Sequence, residues 1–158
     1  MQDFGMISTR IWSDPGFSQL TDGAGSLLFY LLACPHGNSV GIFHLPPGYL
    51  LADRRLSDVQ AQPLFNELHT HGFARRCEKT HWVWLVRHLE KKMSDKQRIY
   101  GVKQVSYIPP SCCWLSDFCE KNPDLVGPTV KKALQTLSLA SGDLKSSVKN
   151  LTERLKTK

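Results

Sequence analysis

The run SDVQAQPLFNELHTHG (residues 57–72), followed at once by FARRCEKTHWVWLV (residues 73–86), contains the change of period that decides the fold. In the first run Leu64, Phe65 and Leu68 recur at the spacing of one helix face, and Gly72 supplies a C-terminal stop. Ser57 or Asp58 stands where a helix start needs a capping oxygen, so a helix is expected from there to His71. Pro63 complicates its first turns: a proline ring is tolerated only near a helix start, so either the helix begins around Gln62 or it is kinked. Residues 73–86 consist of a pair of strand-like segments around the polar turn Glu78-Lys79-Thr80, the pattern of a β-hairpin. Trp82, Trp84 and Val86 alternate with Val83, Leu85 and Arg87, so both faces of the later segment are largely apolar and a central or well-covered strand is expected.

Upstream of this stretch, Thr21 or Asp22 can cap a first helix carrying Leu27, Leu28, Leu31 and Leu32, ended by the segment from Pro35 to Asn38. VGIFHL (residues 40–45) reads as a short strand, and Pro46-Pro47 suits the first turn of a second helix, Gly48 to Leu56. The opening segment from Ile7 to Phe17, broken by a Ser-Asp-Pro-Gly turn signal, is expected to pack as an arm. Helix, strand, helix, helix, hairpin is the order of a winged helix, assigned to residues 1–89. The fold class is therefore α+β, mainly α, with a basic, partly helical C-terminal extension.

Residues 90–126 read as a connector. EKKMSDKQR (residues 90–98) is a linker or a helix start, and Ser111 can cap a short helix with Trp114, Leu115 and Phe118 that ends at Asn122-Pro123. In residues 127–158 the leucine pattern of Val130, Leu134 and Leu137, then Leu144, Val148, Leu151 and Leu155, marks an amphipathic tail. Such a seam serves a coiled coil, a helix packed on the domain, or a partly disordered tail that folds on a partner.

With 41% hydrophobic and 22% charged residues, the 158-residue chain has the composition of a folded globular protein. No apolar run approaches the roughly 20 residues of a bilayer span, and the start lacks the pattern of a secretory signal, so a cytoplasmic place and no membrane partner are expected. Five cysteines, Cys34, Cys77, Cys112, Cys113 and Cys119, form no paired spacing and read as reduced thiols, without a metal site. No phosphate loop, nucleophile elbow or carboxylate cluster beside a histidine is present, so no catalytic residue and no cofactor is assigned, and Cys112 or Cys113 is read as a small buried hydrophobe rather than a nucleophile.

The formal charge of +6 points to a polyanionic partner, and its placement is more informative than its size. Before Arg54 the only Lys or Arg is Arg10, whereas eleven lie between Arg54 and Lys103. In a winged helix the third helix enters the major groove and the hairpin lies over phosphates or the minor groove. Gln60, Gln62, Asn66 and Thr70 on the third helix are thus candidates for base contact, and Arg54, Arg55, Arg75, Arg76 and Lys79 for phosphate contact. Trp82 and Trp84 read as core rather than base-stacking groups. Trp114, Phe118, Leu144, Val148, Leu151 and Leu155 are candidates for contact with a protein partner or a second copy of the chain.

ISTRIWSDP (residues 7–15), LLFYLL (27–32), VGIFHLP (40–46) and ELHTHGF (67–73) together resemble phage replication proteins with an N-terminal winged helix, of the replication-initiator or helicase-loader type. The resemblance covers Ile7 to Leu89, and a weaker likeness runs through WLVRHL (84–89), IPPS (108–111) and DFCEKNP (117–123). It implies a DNA-binding accessory role in replication, with origin binding or recruitment of a replicative helicase or other host protein. Two other roles stay open: a phage-encoded module that inhibits or adapts a host nucleoprotein complex, and a dimeric transcriptional repressor.

Overall fold

Residues 7–88, 93–132 and 135 are described by the structure, a computed structural model. Leu134, Leu137, Leu144, Val148, Leu151 and Leu155 of the expected tail seam, and the first residues of the expected connector, lie outside them.

Thr21 opens helix α1 (Asp22–Ala33), its hydroxyl accepting the Ala24 N–H at 3.3 Å. Strand β1 (Ile42–His44) follows, and then helix α2 (Pro47–Arg54), with Pro47 in its first turn, where a missing N–H costs nothing. Arg55 ends α2 in the left-handed region at φ 53°. Helix α3 (Asp58–Thr70) starts from a capping box: Ser57 Oγ accepts the Gln60 N–H, and the Gln60 side chain accepts the Ser57 N–H at 3.0 Å. The helix runs from Asp58 straight through Pro63. The proline removes the donor for the Val59 carbonyl, but Val59 is 85% exposed, so that end of the helix lies open to water.

Strands β2 (Ala74–Arg76) and β3 (Trp82–Leu85) form the hairpin, and the sheet is antiparallel in the order β1-β3-β2. The central place expected for the tryptophan strand is therefore observed. Ile42 lies opposite Trp84 in one ladder, and Arg75 lies opposite Trp84 in the other. The turn between the strands closes with the His81 N–H on the Cys77 carbonyl at 2.7 Å, His81 itself being left-handed at φ 56°.

All four residues of β3 are buried, and side chains alternate across a strand, so they feed two cores. Val83 and Leu85, with Phe43 and Ala74, pack on Leu27, Leu28 and Leu31 of α1, Leu50 of α2, and Phe65 and Leu68 of α3. On the opposite face Trp82 and Trp84, with Ile42, meet a second layer made from helices α4 (Asp95–Ser106) and α5 (Leu115–Lys121) and the one-turn helix Pro123–Leu125. The fold is thus mixed α+β and mainly helical, with a three-stranded antiparallel sheet. Ahead of α1, two short 3-10 helices form the expected arm, held by the Trp12, Phe17 and Phe29 rings and by an ion pair between Arg87 and Asp14.

The connector expected over residues 90–126 has the helix start read in residues 90–98 and the short helix with Leu115 and Phe118, but it packs as a layer of the fold. A second capping box, Ser94 with Gln97, opens a full twelve-residue α4. Gly101 lets α4 approach closely: a Cβ there would sit 2.8 Å from Leu125 Cδ2 and 3.3 Å from Val40 Cγ1. Helix α5 begins at Leu115 with Trp114, not Ser111, in the capping position and no side-chain cap. Trp114 and Phe118 are fully buried rather than free to dock a partner. Their rings close on Trp84 with centroids 5.8 and 5.2 Å away, and Trp114 Nε1–H donates to the Trp82 carbonyl at 3.1 Å. Among the described residues no helix is long and apolar enough to cross a membrane.

If the second layer is integral to the fold, Trp114→Ala should cost about 3–5 kcal/mol, the usual loss for a large buried aromatic. Urea unfolding followed by tryptophan fluorescence and by circular dichroism would measure it, and a loss below about 1 kcal/mol, the range of surface changes, would contradict the assignment.

Candidate nucleic-acid interface

Helix α3 buries Ala61, Phe65 and Leu68 and leaves Val59, Pro63, Asn66 and Thr70 exposed. These four are spaced four, three and four apart and so form one outward strip along the helix. The end of α2 and the hairpin turn flank α3 in the chain, and they carry the exposed cations Arg54, Arg55 and Lys79. Arg54 reaches back to Ser26 Oγ at 2.6 Å and lies at 5.9 Å over the ring of Tyr30, whose hydroxyl donates to Asp53, and among the described residues it forms no ion pair. Arg55 projects from the left-handed residue that ends α2.

The four polar residues expected to read bases meet different fates. Gln60 is held by the capping box, and Gln62 donates to Glu78 of the hairpin turn. Thr70 donates its hydroxyl to the Asn66 carbonyl at 2.9 Å, the back-bonding that serine and threonine adopt inside helices. Asn66 alone keeps an exposed amide with no side-chain partner among the described residues.

The basic hairpin expected from the sequence is corrected more strongly. Arg76 is not a phosphate contact: its side chain is 2% exposed, lies 2.6 Å from the Asp58 carboxylate and stacks over Phe65 at 5.0 Å. Arg75 pairs with Asp117 of α5 and lies over Trp84 at 6.0 Å. Among the described residues the hairpin therefore presents one uncompensated cation, Lys79, beside Glu78. Between α3, β2 and the turn that leads into α5 lies a pocket of about 170 Å³, walled by Gln62, Asn66, His69, Arg75, Glu78 and Cys113. Cys113 is exposed on it rather than buried, and Cys112 and Cys113 both precede α5 instead of lying within it. The paired carboxylates, Asp58 and Asp117, carried no local signal, because each meets its arginine only through tertiary packing.

No family model, no curated protein and no solved structure matches the chain.

The hydrogen bond from Arg75, aided by the charges of Arg75, Lys121 and His69 and opposed by slight burial, holds Asp117 below its ordinary carboxylate range. A lowered folded-state value means that the carboxylate stabilises the fold at neutral pH, and that this contribution is lost as pH falls from the ordinary value, about 3.9, through the lower one. Asp117→Asn should cost less than about 1 kcal/mol at neutral pH, since the pair is half exposed, and should flatten the fall of the urea midpoint in acid. Superimposable acid profiles for parent and variant would contradict the pairing.

Proposed function

We propose that the chain binds duplex DNA through the outer strip of α3, as an accessory protein of phage-type replication. The element order α1-β1-α2-α3-β2-β3 and the strand order β1-β3-β2 support a winged-helix reading, in which α3 is the groove-entering helix. The observation that carries the proposal is the free strip of α3, bounded by Arg54 and Arg55 before it and Lys79 after it, on a helix whose other side is locked in the core. Asn66 is the base-reading group, since an amide can pair with adenine through two hydrogen bonds. Arg54, Arg55 and Lys79 contact phosphates and set affinity.

A cytoplasmic place of action and recruitment of a replicative helicase accompany this reading. A repressor role would require a dimer on a palindromic site. The bare side chains of Val59 and Pro63 on the same strip favour a second reading, contact with an apolar patch on a host protein, which needs no phosphate contacts.

Fluorescence anisotropy with labelled duplex, titrated across salt, separates the two. Three phosphate contacts give a slope of about −2.7 in log affinity against log salt, where five would give about −4.5. Arg55→Gly should weaken binding and make the slope shallower by about 0.9 while leaving stability equal or higher, because glycine takes a left-handed position without the strain of a Cβ. No binding at low salt by a folded protein would overturn the proposal.

Asp117→Asn leaves Arg75 of the hairpin without its carboxylate and should have the opposite effect in the same assay, tighter binding with a slope steeper by about 0.9. Unchanged affinity would place the hairpin away from the DNA.

A further inference from the structure

Cys77 and the Cys112-Cys113 pair meet where the hairpin turn touches the second layer. Cys77 directly follows β2, and its sulfur accepts the N–H of Cys113, 36 residues further along the chain, at 3.3 Å. Cys112, the residue before Cys113, lies in the same buried cluster as Cys77. Cys77 and Cys112 are 1% and 5% exposed, whereas Cys113 opens onto the pocket beside Arg75. The cluster thus has an inner sulfur closed off from solvent and an outer one that a small molecule can reach.

The proton balance between them is uneven. Burial works to raise the Cys77 thiol, but hydrogen bonding, to which the Cys113 N–H contributes at 3.3 Å, outweighs it and brings the group down to about 6. Burial pushes Cys112 up to about 12, and burial together with the Cys77 sulfur raises Cys113. The more acidic thiol is therefore the inner one, Cys77, whose sulfur already touches the Cys113 backbone.

We propose that Cys113 and Cys77 form a disulfide by exchange with a low-molecular-weight disulfide of the glutathione type, which makes this pocket a redox modification site. Cys113, as its thiolate, attacks one sulfur of glutathione disulfide. The S–S bond of the reagent breaks, a first glutathione leaves as thiolate, and it takes up the proton that Cys113 gave up. The Cys77 thiolate then attacks the Cys113 sulfur of the mixed disulfide and expels the second glutathione, which is protonated from solvent. Two protein thiols are oxidised and one reagent disulfide is reduced to two thiols. Entry at Cys113 follows from exposure, and the choice of Cys77 as resolving group follows from the contact of its sulfur with the Cys113 backbone at 3.3 Å and from its lowered pKa. A bond between the neighbours Cys112 and Cys113 would instead demand a strained ring.

The test uses the full chain, reduced and then equilibrated over a series of ratios of glutathione disulfide to glutathione, quenched by alkylation and read by intact mass and peptide mapping. The expected product has lost two hydrogens and retains no glutathione. It yields one linked peptide joining Cys77 to Cys113, with Cys34, Cys112 and Cys119 alkylated. Cys113→Ser should abolish both the link and any adduct, Cys112→Ser should leave the link intact, and Cys77→Ser should trap glutathione on Cys113. Because Cys77 is buried and its replacement can disturb folding, the peptide map of the parent protein decides the matter without that variant. A persistent glutathione adduct on the parent, a link through Cys112, or no reaction at any ratio would overturn the proposal.

Discussion

A single strand, β3, is the constraint on which the other elements depend. Its four residues are all buried, and because neighbours point to opposite faces, the helices on both sides of the sheet are built against the same short segment. Trp84 bears the largest share on the second face, packed by Trp114 and Phe118 and flanked by Arg75 and Lys121 at 6.0 and 5.6 Å from its ring. Its indole N–H is buried without a partner among the described residues, a defect that costs about 1–3 kcal/mol. Removing some 150–250 Å² of aromatic surface from water is worth about 4–6 kcal/mol, so burial of the ring outweighs the lost hydrogen bond.

The second determinant is the cross-linking of elements by charge. Asp58 at the start of α3 holds Arg76 of β2, Asp117 of α5 holds Arg75 of the same strand, and Glu67 of α3 accepts the Thr21 N–H and hydroxyl at 2.5 and 2.8 Å. These contacts orient the hairpin against α3 and tie α3 to the start of α1. They also remove two cations from the surface that a polyanion would meet. A chain of net charge +6 therefore presents far less charge at its candidate interface than its total implies.

Where local rules governed, the sequence was readable. Thr21, Ser57 and Gly72 mark helix ends through capping chemistry that involves only near neighbours, and the alternation around Trp82 and Trp84 announced a covered strand. Residues 90–98 read as a linker or a helix start, and the extent of α4 did not show because its inward face is narrow: Gly101 and Val105 are its buried residues, set among charged and polar neighbours. Trp114 and Phe118 looked like docking groups because nothing nearby in sequence shows that Trp84, on another element, covers them. The candidate site was legible only in outline for the same reason. Local position identified α3 and the cations at the end of α2, but the partners of Arg75, Arg76, Gln62 and Cys77 are set by the tertiary fold.

The two-sided burial of β3 also bears on the order in which the protein is made. The first core is complete in sequence once Leu85 has been synthesised, since every residue that packs on Val83 and Leu85 precedes it or lies beside it in the chain. The indoles of Trp82 and Trp84 lack their aromatic cover until Trp114 and Phe118 have emerged. During that interval the nascent chain carries a bare aromatic sheet face, the kind of surface that chaperones bind and that drives misassembly between neighbouring chains.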